Sequence, residues 1–285
     1  MPTTDLRIDR HTGRRTYVVG SRQNRPNRPA TSCPFCPGGL EAPDVYDVRA
    51  FPNRWPALGE GRCEVVLYTP QHDATFWSLG VPGARRVIDL WAERSACLGR
   101  EPGVGYVLVF ENRGAEVGAT ISHPHGQIYA FDDVPDLPRL ELERGTHFDD
   151  PSAERVVAAR DGWRAFVPHA SPYPYAITIA PDEPVADLPS LPPCGRDALA
   201  GLLVDVLERL DRLFDASTPY MLWVHQRPFD GGDWPAARLH IEIVSPWRAK
   251  GVARYVAAGE LGSGVYFNPV TPEEAASALR GALDG

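Results

Sequence analysis

The chain repeats one order of predicted elements, and this repeat constrains the fold more than any other feature of the sequence. Each copy has a strand, a polar loop, a helix, a second strand, a glycine-bearing loop and a third strand. The first copy has strands at 64–68 and 106–110, a helix at about 82–98 and a last strand in HPHGQIYAF; the second has strands at 175–180 and 220–225, a helix at 196–213 and a last strand in LHIEIV. Such a repeat indicates an internal duplication. The predicted fold class is therefore α+β, with an antiparallel sheet covered by helices and two related halves at 1–150 and 151–285.

The charge balance excludes several classes of partner. The formal net charge is -8 at pH 7, whereas nucleic acids and anionic membranes bind basic surfaces, so neither is an expected partner. Apolar runs such as 106–110 and 199–203 are too short to span a bilayer. Charged residues occupy the region where a secretory leader would have its apolar core. We expect a cytoplasmic protein.

The run HPHGQ carries the residues best suited to chemistry. Strand alternation predicts that His123, His125 and Gln127 face one side. A neutral imidazole attacks phosphorus without first losing a proton, and it leaves again when the phosphoramidate is attacked. If His123 binds a metal, His125 remains as the nucleophile, and the Gln127 amide can donate to a phosphoryl oxygen. The alternative interpretation is a set of ordinary polar residues on an edge strand.

The spacing of the cysteines indicates a metal site. The chain has five cysteines, and only Cys33 and Cys36 lie close together in the sequence, so we expect no disulfide framework. A CxxC pair is half of a tetrahedral zinc site, and His72 and His123 would complete a closed Cys2His2 site. A closed site is structural, so the zinc would hold the loop that carries His125. The alternative is a buried pair of free cysteines with unrelated histidines.

These motifs make the chain similar to the galactose-1-phosphate uridylyltransferases, the nucleotidyltransferase branch of the histidine-triad superfamily. The resemblance covers nearly the whole length, and HPHGQ following ENRG is its most specific part. The supporting segments are SRQNRP, CPFC, FPNRWPAL, TPQH, FENRG, HPHGQIY, PYMLWVHQRPF, LHIEI and VTPEEAA. The resemblance implies that each half has a histidine-triad-like fold.

The resemblance also implies a ping-pong reaction. Uridine diphosphate glucose gives its uridylyl group to the second histidine of HPH, and a hexose 1-phosphate then removes it. His125 would be the nucleophile and Gln127 its phosphoryl partner. The residues implied to contact the nucleotide or its phosphates are Arg22, Arg25, Asn53, Asn112 and Thr120. The implied partners are a nucleotide sugar and a sugar 1-phosphate, and a homodimer is left open.

Members of this family can carry a second structural metal site, formed by a glutamate after HPHGQ and three histidines in the second half. Glu141, His225 and His240 match it, but Glu242 stands where the third histidine would be. Two glutamates and two histidines can bind zinc or iron. The alternative interpretation is a hydrogen-bonded polar network.

The C-terminal segment departs from the family. Members place a lysine, a glutamate and a glutamine near the sugar, whereas this chain has ARYVAAGELGSGVYFN, with Arg254 and Glu260 as the candidate contacts. Such a glycine-bearing loop resembles that of nucleotide-sugar phosphorylases and can present backbone amides to a phosphate. A phosphorylase, adenylyltransferase or hydrolase that uses phosphate, another sugar phosphate or water as acceptor is therefore the alternative activity. A zinc-stabilised binding protein without catalysis is a third hypothesis, but it would not need an intact HPHGQ.

Overall fold

A computed structural model describes residues 5–24, 32–145 and 152–283. The strands are β1 (Asp5–Ile8), β2 (Arg15–Val18), β3 (Arg49–Pro52), β4 (Cys63–Leu67), β5 (Tyr106–Arg113), β6 (His125–Phe131), β7 (Val156–Arg160), β8 (Trp163–Phe166), β9 (Ile177–Pro181), β10 (Tyr220–His225), β11 (His240–Val244), β12 (Trp247–Ala249) and β13 (Val252–Ala253). The helices are α1 (Gly80–Gly99), α2 (Asp136–Arg144), α3 (Pro193–Phe214), α4 (Ala258–Ser263) and α5 (Pro272–Gly281). Nine strands form one sheet in the order β3-β4-β6-β5-β10-β11-β9-β8-β7, and every pair in it is antiparallel.

One row of paired residues crosses six strands and relates the two halves of this sheet. The row is Val65, Gln127, Phe110, Trp223, Glu242 and Thr178, on β4, β6, β5, β10, β11 and β9. From the centre outward, β5, β6 and β4 on one side correspond to β10, β11 and β9 on the other. Gln127 and Glu242 are therefore equivalent, and so are His125 and His240, two residues earlier. This register confirms the predicted duplication.

The two long helices cover one face of the sheet and leave the other face to the site. α1 and α3 pack against each other, and α1 buries Ile88 and Trp91 in the main core. Truncating a buried tryptophan to alanine costs about 3–5 kcal/mol, so packing on this face contributes strongly to stability. Burial alternates along β6: Ile128 points toward the helices, whereas His125 and Gln127 are partly exposed on the opposite face.

The segment that contains CPFC covers the opposite face of the first half. Phe35, Ala42 and Tyr46 pack on Val65 and Leu67 in a small cluster separate from the main core. Val65 and Leu67 pair with Gln127 and His125, respectively. The cysteines are therefore brought next to the start of β6.

Most predicted elements are confirmed, with ends that shift by a few residues. α1 and α3 extend both predicted helices, and β4, β5, β9, β10 and β11 lie where strands were predicted. β6 begins only at His125, so His123 lies in the preceding loop and not on the strand as predicted. The intervening Pro124 has no N–H to donate to a ladder, which explains the late start. β1 was not predicted, because its four residues are all exposed and show no alternation.

The boundary between the predicted halves lies outside the described residues. Residue 150 falls in the stretch 146–151, and the sheet is continuous across β5 and β10. The division into 1–150 and 151–285 therefore stays a prediction. Among the described residues, no helix combines the length and the apolar character needed to cross a membrane.

Candidate active site and metal centres

Four predicted metal ligands come together where the CPFC segment meets the HPHGQ run. The side chains of Cys33, Cys36, His72 and His123 offer ligand atoms that all lie within 4.8 Å of one another. Cys36 Sγ is 3.5 Å from His72 Nδ1 and 3.6 Å from His123 Nδ1. Zinc binds sulfur at about 2.3 Å and nitrogen at about 2.0 Å in a tetrahedron, which suits these separations. The residues therefore fit the predicted metal.

The ring of His123 is oriented by groups on the side away from the cysteines. Its Nε2 lies 2.7 Å from the Thr69 carbonyl oxygen, to which it can donate, and 2.9 Å from the Tyr46 hydroxyl. That hydroxyl donates to the Phe35 carbonyl at 2.6 Å. With the proton on Nε2, the lone pair of Nδ1 faces Cys36. Burial lowers the pKa of His123 and keeps the ring neutral, as a metal ligand must be.

His125 is oriented by the chain that immediately precedes it. Its Nδ1 lies 2.7 Å from the His123 carbonyl oxygen, to which it can donate. With the proton on Nδ1, a neutral imidazole has its lone pair on Nε2. The Phe35 ring contacts both histidines edge-on, with centroids 5.0 Å from His125 and 6.2 Å from His123. The metal-binding loop and the candidate nucleophile are thus linked through one carbonyl and one aromatic ring.

A chain of hydrogen bonds sets the orientation of the Gln127 amide. The backbone N–H of Trp55 donates to Asn53 Oδ1 at 2.8 Å, so Asn53 presents its Nδ2 on the other side. This nitrogen donates to Gln127 Oε1 at 3.1 Å. Gln127 therefore offers Nε2 as a donor on the same side of the strand as His125. A donor at that place suits the negative charge that develops on a phosphoryl oxygen.

The predicted nucleotide contacts divide into those beside His125 and those elsewhere. Asn112 lies two residues after Phe110 on β5 and so on the same face as Gln127. Thr120 lines a cleft of about 720 Å3, whose wall also includes ligands of the first metal group. Arg22 lies in a short 3-10 turn. Arg25 lies outside the described residues.

Arg254 and Glu260, the candidate contacts to the hexose end, pair with each other. Arg254 Nη2 donates to Glu260, and the backbone N–H groups of Phe267 and Ala257 lower the pKa of Glu260. The guanidinium group of Arg254 also lies 5.2 Å from the ring centre of Tyr173. Its Nε and Nη1 are buried and have no hydrogen-bond partner among the described residues. These two donors suit an anionic group, but sequence alone did not predict the pairing with Glu260.

The second predicted metal group also comes together. Glu141 on α2, His225 on β10, and His240 and Glu242 on β11 offer ligand atoms within 4.8 Å of one another. His240 Nδ1 lies 2.9 Å from the Arg238 carbonyl oxygen, so it can donate there and direct Nε2 toward the carboxylates. His240 Nε2 is 3.8 Å from Glu141 Oε2 and 3.6 Å from Glu242 Oε1.

Two observations favour a cation over a polar network in this second group. His225 Nδ1 approaches Glu141 Oε2 to 2.7 Å, yet this nitrogen completes no hydrogen bond with any described residue. A cavity of about 10 Å3 lies among Glu141, His225 and His240, which is about the volume that one water or ion occupies. Converging lone pairs around a space of this size fit a cation.

Tyr46, Thr69 and Phe35 are parts of the site that sequence reasoning missed. Tyr46 belongs to no quoted motif. Thr69 begins TPQH, but it acts through its backbone carbonyl, which residue identity does not reveal. Phe35 stands inside CPFC, and its position between the two cysteines was the signal available for it.

Comparison with known proteins accounts for nearly the whole chain. The family model described as galactose-1-phosphate uridyl transferase, N-terminal domain, matches residues 57–135. The family model of the C-terminal domain matches residues 118–284. The chain is 33% identical to the galactose-1-phosphate uridylyltransferase of Thermotoga maritima over 97% of this chain and 98% of that protein. It is 36% identical to the enzyme of Streptomyces lividans over 90% of this chain and 80% of that protein.

Solved structures confirm the predicted α+β fold class. A uridylyltransferase structure superposes with a TM-score of 0.88 at 29% identity and covers 98% of both chains. The ADP-glucose phosphorylase from Arabidopsis thaliana shares the fold, with a TM-score of 0.78 at 24% identity over 98% of this chain and 99% of that one. Since the C-terminal model alone spans more than half of the chain, and two relatives exceed 30% identity over most of it, the chain belongs to the galactose-1-phosphate uridyl transferase family of transferase enzymes.

Proposed function

We propose that this chain transfers a uridylyl group from UDP-glucose to a hexose 1-phosphate through a covalent bond to His125. Family membership supports the reaction class. The observation that carries the residue assignment is the hydrogen bond from His125 Nδ1 to the His123 carbonyl, 2.7 Å long, because it directs the lone pair of Nε2 away from the chain.

In the first half-reaction, the lone pair of His125 Nε2 forms a bond to the α-phosphorus of UDP-glucose. The bond between that phosphorus and the bridging oxygen breaks, and glucose 1-phosphate leaves with the electron pair. The imidazole keeps its Nδ1 proton throughout, and the positive charge that develops on the ring is stabilised by the His123 carbonyl. Gln127 Nε2 donates to a phosphoryl oxygen as its negative charge increases.

In the second half-reaction, a phosphate oxygen of the incoming hexose 1-phosphate attacks the same phosphorus. The nitrogen–phosphorus bond breaks, and His125 regains its lone pair. Neither half-reaction requires a general base for the nucleophile, since a neutral imidazole and a phosphate dianion both carry an available electron pair. Arg22, Arg25, Asn112 and Thr120 are the proposed contacts to the nucleotide, and Arg254 and Glu260 to the hexose end.

We propose zinc as the ion held by Cys33, Cys36, His72 and His123. Two thiolates and two neutral imidazoles form a closed tetrahedral set, which supplies structure and no open coordination position. In the protein chain, Tyr46 and Thr69 orient His123, and the His123 carbonyl orients His125. The ligands would thus act on the reaction by fixing the nucleophile.

We propose a second ion, zinc or iron, between Glu141, His225, His240 and Glu242. The close approach of His225 to Glu141 without a hydrogen bond supports it. These residues tie α2 to β10 and β11, so the ion would stabilise the second half. The first half, 1–150, would carry the chemistry and contribute Glu141 to this structural site, and the second half, 151–285, would contribute the other three ligands.

The experiment that tests the proposal is detection of the covalent intermediate by intact mass. Wild-type protein incubated with UDP-glucose should gain the mass of one uridylyl group, and galactose 1-phosphate should remove it. His125→Gly should give no adduct, whereas the exposed His169→Gly should behave as wild type. An adduct on His125→Gly would contradict the assignment. Removal of the adduct by phosphate and not by any hexose 1-phosphate would indicate the phosphorylase alternative.

A further inference from the structure

A buried carboxyl group lies on the helix side of the sheet, behind the candidate nucleophile. Glu111 is on β5, one residue before Asn112, and only 4% of its surface is exposed. Its Oε1 accepts a hydrogen bond from the Tyr220 hydroxyl at 2.7 Å. Its Oε2 is buried and completes no hydrogen bond among the described residues.

The Tyr68 hydroxyl lies against Gly126 of β6, which the β5–β6 register places beside Glu111. A Cβ atom placed on Gly126 would lie 2.2 Å from Tyr68 Oη, so only glycine allows the tyrosine to approach the residue that follows His125. The Tyr68 backbone N–H donates to the Pro124 carbonyl at 3.2 Å, inside HPHGQ. Tyr68 Oη, like Glu111 Oε2, is buried and completes no hydrogen bond with the described residues.

The surroundings of Glu111 favour its neutral form. Burial raises the pKa of Glu111 to about 7, although the Tyr220 hydrogen bond and Arg113 oppose that shift. Arg113 is on the same strand and is neutralised by Asp211 on α3 at 2.8 Å. The other ionisable groups that face Glu111 are Tyr68 and Tyr220, and burial raises the pKa of both hydroxyls well above the usual value. α1 contributes the uncharged Trp91.

We propose that Glu111 is a positioning residue for the transfer reaction and that it works as a neutral carboxylic acid. It accepts from Tyr220 at Oε1, and a proton on Oε2 supplies the donor that the neighbouring Tyr68 oxygen lacks among the described residues. These two interactions link β10, β5 and the end of β4 directly behind Gly126. They hold Asn112 and His125 in place on the opposite face of the sheet. The inference rests on the proposed function, since it concerns the same nucleophile.

Loss of the proton would have two effects on the site. An ionised Glu111 cannot donate to Tyr68, so the connection behind β6 is lost. It also places a buried negative charge one residue from Asn112, on a strand whose other face receives an anionic nucleotide. Both effects slow formation of the covalent intermediate without changing any group that touches the substrate.

The test is the rate of adduct formation in single turnovers at saturating UDP-glucose between pH 6 and pH 8. Any titration of the nucleophile is common to wild type and Glu111→Gln, so the quantity compared is the ratio of the wild-type rate to the Glu111→Gln rate at each pH. Glu111→Gln offers an acceptor and a donor at the same positions and cannot ionise, so this ratio should be within about 2-fold of one at pH 6 and about 10-fold lower at pH 8. Glu111→Ala should be slow at both pH values. A purely structural role predicts a lower melting temperature with an unchanged pH profile.

Glu64→Gln is the matched control. Glu64 is another buried carboxyl on the same sheet, on β4, and it pairs with Arg94 at 2.6 Å. The rate of this variant should follow the wild-type pH profile. A pH profile of Glu111→Gln that parallels the wild type would overturn the inference. If Glu111→Gln does not fold, Tyr68→Phe replaces it: its rate at pH 6 should fall toward the wild-type rate at pH 8, and an unchanged rate would count against the inference.

An infrared measurement separates this inference from the proposed function. The difference spectrum of wild type minus Glu111→Gln requires no turnover. We expect the C=O band of a protonated carboxylic acid at pH 6, decreasing toward pH 8. A carboxylate band at pH 6 would overturn the inference even if the uridylyl adduct forms. Absence of any adduct in the wild type would reject the proposed function and leave this spectrum to decide the state of Glu111.

Discussion

The two halves of the sheet orient equivalent histidines in the same way, but the residues around the two histidines differ. His125 and His240 hold equivalent places in the six-strand row, and each Nδ1 contacts the carbonyl two residues earlier, at 2.7 and 2.9 Å. His125 is partly exposed, and its neighbour on the strand is the neutral Gln127. His240 is 3% exposed, and its neighbour is the anionic Glu242.

The comparison shows that orientation of the ring does not decide its chemistry. In the first half, the open face and the neutral amide suit a nucleophile that meets an anionic phosphate. In the second half, α2 closes the face with Glu141, and two carboxylates suit a cation. The predictions below test how far the residues around each histidine determine its role.

Removing the two equivalent histidines should give the largest contrast. His125→Gly should abolish the uridylyl adduct, because no other imidazole of HPHGQ remains for attack, and should leave the melting temperature nearly unchanged. His240→Gly should keep the adduct but lose the second ion and melt at a lower temperature. Intact mass and thermal unfolding measure both outcomes. An adduct lost in both variants would show that the two halves are not chemically distinct.

Replacing Gln127 by glutamate and Glu242 by glutamine should give the next largest effect. Gln127→Glu replaces a donor by a negative charge. Loss of an oxyanion donor typically slows a reaction about 100- to 1000-fold, so adduct formation should slow by at least this factor. Glu242→Gln should leave that rate unchanged and lower the content of the second ion. Single-turnover kinetics and metal analysis of the same preparations test the pair. Equal rates for Gln127→Glu and wild type would remove Gln127 from the mechanism.

Removing one ligand from each metal group should separate activity from stability. Cys36→Ser should lose zinc, melt at a lower temperature and form the adduct more slowly, because the loop that orients His125 is released. Glu141→Gln should lose the second ion and lower the melting temperature alone. Metal analysis, thermal unfolding and the adduct rate are compared between the two variants. Active wild-type protein that contains no zinc would contradict the assignment of the first group.

The smallest effect is expected from a tyrosine beside each metal group. Tyr46→Phe removes the hydroxyl that contacts His123 and Phe35, which should cost about 1 kcal/mol of unfolding free energy and weaken zinc retention. Tyr106, whose hydroxyl accepts from the Gln226 backbone N–H, lines the small cavity of the second group. Tyr106→Phe should leave zinc retention unchanged. Denaturant unfolding and competition with a chelator measure both variants, and equal zinc retention in Tyr46→Phe and wild type would contradict the role of Tyr46.

The sequence could predict the parts of the fold that depend on period and order. The 3.6-residue pattern gave α1 and α3, and the repeated order gave the duplication, because both depend on local spacing. β1 could not be predicted in this way, since it buries no face. The exact register from Phe110 to Trp223 could not be predicted, because it depends on contacts between strands more than 100 residues apart.

The candidate site was predictable where side chains carry the chemistry and unpredictable where the backbone does. Cys33, Cys36, His72 and His123 were chosen by residue type and come together as expected. The carbonyls of Thr69 and His123 orient the rings, and every residue has a carbonyl, so no residue type marks them. The proposed role of Glu111 could not be predicted either, because Glu111 appears in ENRG as one charged residue among others.

The antiparallel contact between β5 and β10 explains why the half that is not proposed to react cannot simply be discarded. Without β10, the eight residues of β5 would become a free edge that can recruit strands from other chains, and the same holds for β10 without β5. A chain cut near residue 150 and expressed as two pieces should therefore reassemble by edge pairing when both pieces are present, and each piece alone should aggregate. The second half is in this sense an intramolecular partner that covers the β5 edge, in addition to its proposed contacts with the hexose end.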